Sequence, residues 1–289
     1  MPKKIILDTD IGSDIDDAVC LAYLLAQPEA DLIGITTVTG EGLQRAQMAS
    51  ALCRVAGRDD IPIYPGAELP LLVKALQPTA PQSSALTRWP HRAEGYPAGE
   101  AIEFLRQTIR ANPGEITLLA IGPLTNIALL FAVDPEIPAL LDSLVLMSGC
   151  FQRNFGEWNV INDPHASAMV YRTPGVTIKA IGLDVTQQVR LAADEVRTRF
   201  NTPLLRPVLD FAEVWFEKQP EITFHDPLAA VTIFDEQVCG FEQGTITVNL
   251  GLPADLGVTH WTPGEGAHLA ALSVQPGRFF DLFFGVFES

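Results

Sequence analysis

The stretch Asp8-Thr9-Asp10-Ile11-Gly12-Ser13-Asp14-Ile15-Asp16-Asp17 follows directly on the apolar run Ile5-Ile6-Leu7 and precedes Ala18-Val19-Cys20-Leu21. The run before it reads as a buried strand and the run after it as a buried helix. The loop between them therefore falls at the carboxyl edge of a sheet. Five carboxylates in ten residues repel one another strongly in a low-dielectric crevice, and no Lys or Arg lies within the stretch. A hard divalent cation with oxygen ligands, Ca²⁺ or Mg²⁺, is the counter-charge that suits them. The competing reading is a solvated helix N-terminus whose Asp16 and Asp17 favour the helix dipole; the apolar flanks tell against it.

Working outward, strands alternate with helices. The first helix continues through Leu21 to Ala26 until Pro28 ends it, and Asp31 to Val38 is a β-branched strand. A helix from Leu43 to Ala56 stops at Gly57, and Ile61 to Tyr64 is a short strand. A helix from Gly99 to Ala111 leads to a strand from Glu115 to Ile121, and Gly122-Pro123-Leu124-Thr125-Asn126 turns into a helix from Ile127 to Val133. Ser143 to Met147 and Val176 to Ile181 repeat the strand pattern. This alternation predicts an α/β fold with a parallel, doubly wound sheet, and with no convincing linker the whole of 1–289 reads as one domain. Residues 192–218 read as one helical stretch in which Phe211, Trp215 and Phe216 pack the core. Beyond Val238 come a β-rich stretch from Thr245 to Leu250 and a final aromatic helix or strand.

Between Pro65 and Pro97 six prolines interrupt any period, which predicts a long surface excursion that helps to cover a site. His91 within it reads, from spacing alone, as a solvent-exposed loop histidine. The loop after Met147 is unusually polar, with Asn154, Glu157, Trp158, Asn159, Asn162 and Asp163. Amides and a carboxylate grouped in this way can hydrogen-bond several hydroxyls, with Trp158 or Phe155 as an apolar wall. Asp163-Pro164 reads as a cap that opens a helix. Phe224-His225-Asp226-Pro227 also opens a helix: Asp226 could bind metal and His225 act as an acid, although such a pair is more often a cap.

Composition narrows the function. A 289-residue chain that is 47% hydrophobic can bury a sizeable core. A net charge of -16 argues against a nucleic-acid polymer as partner, because nothing offsets phosphate repulsion. Cys20, Cys53, Cys150 and Cys239 are far apart in apolar surroundings and read as free buried thiols of a reducing cytosol. Three apolar residues before Asp8 are too few for a signal peptide, so a cytoplasmic enzyme is expected. The uncharged tract from Ile116 to Val133 is broken by Gly122-Pro123 and Asn126 and reads as strand, turn and helix, giving no membrane partner. His260 and His268 receive no role.

Taken together, the Asp8 to Ala18 motif, Gly122-Pro123-Leu124-Thr125-Asn126, Met147 followed by Glu157-Trp158-Asn159 and Asp163-Pro164, and His225-Asp226-Pro227 resemble the inosine-uridine-preferring nucleoside hydrolase family. The pieces occur in family order between residues 5 and 230. The resemblance implies a Rossmann-like open, mostly parallel sheet with helices on both faces, a bound Ca²⁺, and hydrolysis of the N-glycosidic bond of ribonucleosides to ribose and free base. It implies Asp10, Asp17, the Thr125 carbonyl and Asp226 as calcium ligands, with Asp10 also the base for the attacking water. Asp16 and Asn159 then meet the ribose hydroxyls, Glu157 and Asn154 lie near the 5′ end, Met147 and His91 join the substrate-binding set, and His225 is the leaving-group acid. A homodimer or homotetramer is expected. The chain departs from the family pattern at Glu41, where Asn is frequent, and at Thr262-Pro263-Gly264, where an arginine is expected. Two rival readings are a Mg²⁺-dependent phosphohydrolase with Asp8 or Asp10 as nucleophile, and a ribonucleoside-binding protein without activity.

Overall fold

The computed structural model describes residues 2–251 and 253–288. Its strands are β1 (Lys3–Thr9), β2 (Ala30–Thr37), β3 (Ile63–Pro65), β4 (Ile116–Ala120), β5 (Ser143–Met147), β6 (Ile178–Ile181), β7 (Arg190–Ala192), β8 (Glu221–Thr223), β9 (Cys239–Val248), β10 (Thr259–Pro263) and β11 (His268–Val274). Nine of them form one sheet in the order β10-β9-β11-β6-β5-β4-β1-β2-β3, and β7 pairs with β8 apart from it. From β3 to β11 neighbouring strands are parallel; β9 runs antiparallel to β11 and β10 to β9. The predicted open, mostly parallel α/β sheet is therefore observed.

Period-two alternation explains how the strands serve both faces. Ile5 and Leu7, Leu119 and Val145 face one core with the helices Asp16–Ala26, Leu205–Phe216 and His225–Thr232. Ile6, Leu118, Leu144 and Leu146 face the other with Ala101–Ala111 and Thr125–Val133. Strands buried on both faces have no polar side to show, which is why they read as continuous apolar runs.

After β1 the chain winds through β2 to β3 on one side, whereas β4, β5 and β6 lie on the other. The carboxyl ends of β1 and β4 thus bound the crevice where the order reverses, the place where open α/β sheets bind ligands. Two local readings change in the structure, and one left between helix and strand is decided. The stretch 192–218 breaks into Ala193–Arg199 and Leu205–Phe216 around Pro203, which removes a backbone donor. The β-rich segment is longer than predicted, Cys239–Val248, and the aromatic C-terminal segment is a helix, Pro276–Gly285. The uncharged tract folds as β4, a turn and Thr125–Val133; among the described residues no helix is long and apolar enough to cross a membrane. All four cysteines are free and buried.

Candidate active site

A cavity of about 570 Å³ opens at that crevice. The loop after β1 lines it with Asp10, Asp14, Asp16 and Asp17, the ends of β4 and β5 with Ile121 and Met147, and the segment after β6 with Leu183. The Pro65 to Pro97 excursion contributes Leu76, Gln77, Pro78, Thr79 and Pro81, so it covers the site as expected. Glu157, Trp158 and Asn159 stand on one side, and Trp215, Gln219, His225 and Asp226 on another.

Two helices begin at the acidic cluster. Asp16 and Asp17 open Asp16–Ala26, and Asp226 lies in the first turn of His225–Thr232, so both helix dipoles favour negative charge there. One carboxylate oxygen from each of Asp16, Asp17 and Asp226 lies within 4.8 Å of the others, and all three residues are buried. The Asp226 amide donates to Asp16 Oδ2 at 3.1 Å, and the Asp10 amide to Asp17 Oδ1 at 3.1 Å. The Thr9 hydroxyl also donates to Asp17 Oδ1. Burial, with repulsion among neighbouring carboxylates, pushes Asp16, Asp17 and Asp226 well above the usual carboxylate range, and burial raises Asp10. Desolvation that two helix termini do not cancel is the condition a hard cation relieves, and an all-oxygen donor set fits one. Gly122 is required here: a Cβ at that position would stand 2.7 Å from Asp10 Oδ1.

Across the cavity, Glu157 caps the helix Trp158–Asn162, accepting from the amides of Asn159 at 2.8 Å, Gly149 at 3.1 Å and Val160 at 3.2 Å. Burial raises its pKa to about 7 despite those donors. Asn159 Nδ2 donates to the carbonyls of Ile121 at 2.7 Å and Met147 at 3.1 Å, which leaves its Oδ1 as an acceptor. His225 Nδ1 is 2.6 Å from Thr186 Oγ1, and burial lowers the imidazole pKa to about 4. His225 is accordingly neutral near pH 7. Trp158 Nε1 donates to Gln77 Oε1 at 2.5 Å, and Gln77 Nε2 donates to Asp10 Oδ2.

Asp10, Asp16, Asp17, Met147, Glu157, Asn159, His225 and Asp226 thus meet in one cavity. Three others do not line it. The Thr125 hydroxyl donates to Asp163 Oδ2 at 2.8 Å, and Thr125 borders an adjoining crevice shared with Gln77 and Pro123. Asn154 is exposed and lies beside Arg153, His260 and Trp261. His91 is half-buried with Nδ1 2.9 Å from the Trp89 carbonyl, so it is neither the fully exposed histidine suggested by spacing nor a cavity residue. Asn154 and His91 lie on long loops, whose path no local pattern fixes. Asp8 points into the fold, bonded by Thr36 and Asn126, and among the described residues neither Lys nor Arg lines the cavity; the phosphohydrolase reading keeps only Asp10 as a nucleophile and lacks a basic side chain for the phosphoryl group. Glu41 is turned away too, its Oε2 accepting from the Ala80 amide at 2.7 Å. Sequence reasoning passed over Gln77, Trp215, Leu183 and Asp14. Asp14 stood in the quoted motif, whereas Gln77 and Leu183 carried no signal outside the fold.

The sequence profile of the inosine-uridine preferring nucleoside hydrolase family matches residues 5–281. The chain is 38% identical over 212 residues to a probable uridine nucleosidase 2 of Arabidopsis thaliana, covering 67% of this chain and 63% of that relative, so the match spans less than two thirds of its length. It is 38% identical over 212 residues to the non-specific ribonucleoside hydrolase RihC of Escherichia coli, covering 68% and 67% respectively. In structure it is similar to a plant nucleoside hydrolase, PpNRh1, with a TM-score of 0.83, 25% identity and 99% of each chain covered. With that profile spanning nearly the whole chain and the fold shared from end to end, the protein belongs to the inosine-uridine preferring nucleoside hydrolase family.

Proposed function

We propose that this protein hydrolyses the N-glycosidic bond of ribonucleosides to ribose and free base, with Ca²⁺ held at the acidic cluster. The observation that carries the reading is the convergence in one cavity of the Asp16, Asp17 and Asp226 carboxylates, Asp10, the Asn159 acceptor and His225. Asp10, Asp17 and Asp226 are the proposed carboxylate ligands, and the carbonyl of Thr125, which borders the adjoining crevice that shares Gln77 with this cavity, is the proposed fourth. Bound there, the cation lowers the pKa of water and orders vicinal hydroxyls. Asp10 takes the proton of the water that attacks the anomeric carbon, and Gln77 fixes the rotamer of its carboxylate. Asp16 and Asn159 Oδ1 accept from ribose hydroxyls, with Met147 beneath the sugar. Buried carboxylates stabilise an oxocarbenium-like transition state electrostatically. Trp158, Trp215, Leu76 and Leu183 give the cavity apolar walls against which the base packs.

His225 donates to the departing base. Burial favours the neutral imidazole, so proton transfer draws on the imidazolium form, in which Nδ1–H donates to Thr186 Oγ1 and Nε2–H is the proton given to the base, leaving neutral imidazole. General acid catalysis of this kind contributes about 10²- to 10⁴-fold. Glu157, whose oxygens are engaged by backbone amides, holds the loop that carries Asn159. The proposed assembly is a homodimer or homotetramer, which light scattering reads directly.

The test is release of base and ribose from inosine, uridine, cytidine, adenosine and guanosine, with and without chelation of calcium. Calcium-dependent cleavage that Asp10→Ala abolishes is the expected result. No cleavage of any member by the folded, calcium-loaded protein, together with ribose-analogue binding, would establish a binding protein instead.

A further inference from the structure

Arg45, on the helix Gly42–Val55, is fully buried, and its donors go to neutral acceptors on three separate segments. Nε donates to the Gly40 carbonyl at 2.8 Å, after β2. Nη1 donates to the Asp10 carbonyl, the Ile11 carbonyl at 3.1 Å and Ser13 Oγ at 2.9 Å, all in the loop after β1. Nη2 donates to the Thr79 carbonyl at 3.0 Å, on the cavity cover. A buried guanidinium is costly without compensation, and here Asp10, Asp17, Glu41 and Glu68 supply opposite charge through space.

The three segments are in close register around it. Thr39 and Glu41 have φ of 72° and 63°, a left-handed conformation that a β-branched residue such as Thr39 keeps only when its surroundings enforce it. Pro78 packs so tightly on Gly40 that a Cβ there would lie 2.3 Å from the Pro78 carbonyl oxygen. Ser13 Oγ donates to the Thr79 carbonyl at 3.3 Å, and the Gln82 amide to the Gly12 carbonyl at 3.2 Å. Two residues before Thr79, Gln77 reaches Asp10.

We propose that Arg45 is a positioning residue of the hydrolytic site: its planar fork locks the Asp10 loop, the strained Gly40 turn and the 77–81 cover into one register. The inference rests on the metal-site reading above. A lysine ammonium is a point donor and cannot span carbonyls on opposite sides of the fork.

Tb³⁺, a hard-cation probe that cavity tryptophans Trp158 and Trp215 can sensitise, tests this in the full-length, metal-stripped chain. Titrations of wild type, Arg45→Lys and Arg45→Met are run well below the unfolding temperature of each, alongside kcat and KM for the calcium-loaded proteins. Both variants should lose roughly 10- to 100-fold in Tb³⁺ affinity, as supporting residues of metal sites do, with kcat falling together with affinity. Arg45→Lys binding Tb³⁺ as wild type does, with unchanged kcat, overturns the proposal, since charge alone then suffices. Failure of wild type to bind Tb³⁺ overturns the metal reading, and this inference with it. If neither variant folds, hydrogen exchange in wild type decides: segments 9–14, 39–42 and 77–82 should be protected together, and fast exchange of 77–82 beside a protected 9–14 overturns the proposal.

Discussion

Replacing Asp8 by Asn should weaken the loss of stability that this protein suffers as pH rises. Asp8 lies in β1 with no exposure; Oδ1 accepts from the Thr36 hydroxyl and from Asn126 Nδ2 at 2.7 Å, while Oδ2 is buried with no hydrogen-bond partner among the described residues. Burial raises its pKa from 3.8 to about 7. Between those values the native protein holds a proton that the unfolded chain has released. Stability from this group is therefore full below pH 3.8 and is lost as pH rises through about 7. The difference corresponds to about 4 kcal/mol, an upper figure because relaxation and water entry reduce it. Asn cannot ionise, so the variant escapes this loss. Urea unfolding of the metal-free proteins at about pH 5 and about pH 8 measures it. The stability of Asp8→Asn relative to wild type should move in the variant's favour by up to about 2.6 kcal/mol between the two, the part of the loss that falls between about pH 5 and about pH 8. A difference independent of pH would refute the reasoning, showing that Asp8 ionises as readily in the fold as in the unfolded chain.

Chelation of calcium should stop base release and lower Tm more at about pH 8 than at about pH 5, because Asp16, Asp17 and Asp226 all have raised pKa values and repel once ionised; scanning calorimetry with and without calcium reads this. His225→Ala should slow inosine cleavage about 10²- to 10⁴-fold but 4-nitrophenyl riboside much less, since that leaving group needs no acid; equal losses on both remove His225 from the role. Thr186→Val should reproduce part of the His225 defect in kcat on inosine, and an unchanged kcat would mean that Thr186 does not orient or stabilise the acid form of the ring. Phe283→Ala, deep in an aromatic cluster with Tyr23 at 5.7 Å, Phe224 at 5.4 Å and Phe279 at 5.6 Å, should cost about 3–5 kcal/mol in urea unfolding with KM unchanged.

Much of the site was legible because its residues are consecutive or sit at element ends. Asp10, Asp16 and Asp17 follow one strand, Glu157 and Asn159 open one short helix, and His225 and Asp226 open another. Their chemistry is a matter of residue type and strand end, which sequence carries. The roles within the set were less legible. Asp8 and Asp10 are two residues apart in one motif, yet one is walled into the core and the other faces the cavity, because Asp10 lies just past the end of β1. Glu157 reads as a ligand for hydroxyls, but three backbone amides claim it first.

The sequence by itself determined the α/β class, the parallel core and the acidic loop after β1, since period-two burial, helix stops and charge density are local properties. Only the tertiary structure decided which distant groups complete the site. Gln77 reaches Asp10 across 67 positions, and the Asp226 amide reaches Asp16 Oδ2 across 210. The positive charge that the motif itself lacks comes partly from Arg45, an unremarkable helix residue until folding buries it against three loops. Such contacts depend on strand order and on the path of a proline-rich excursion, and neither is encoded in a local period.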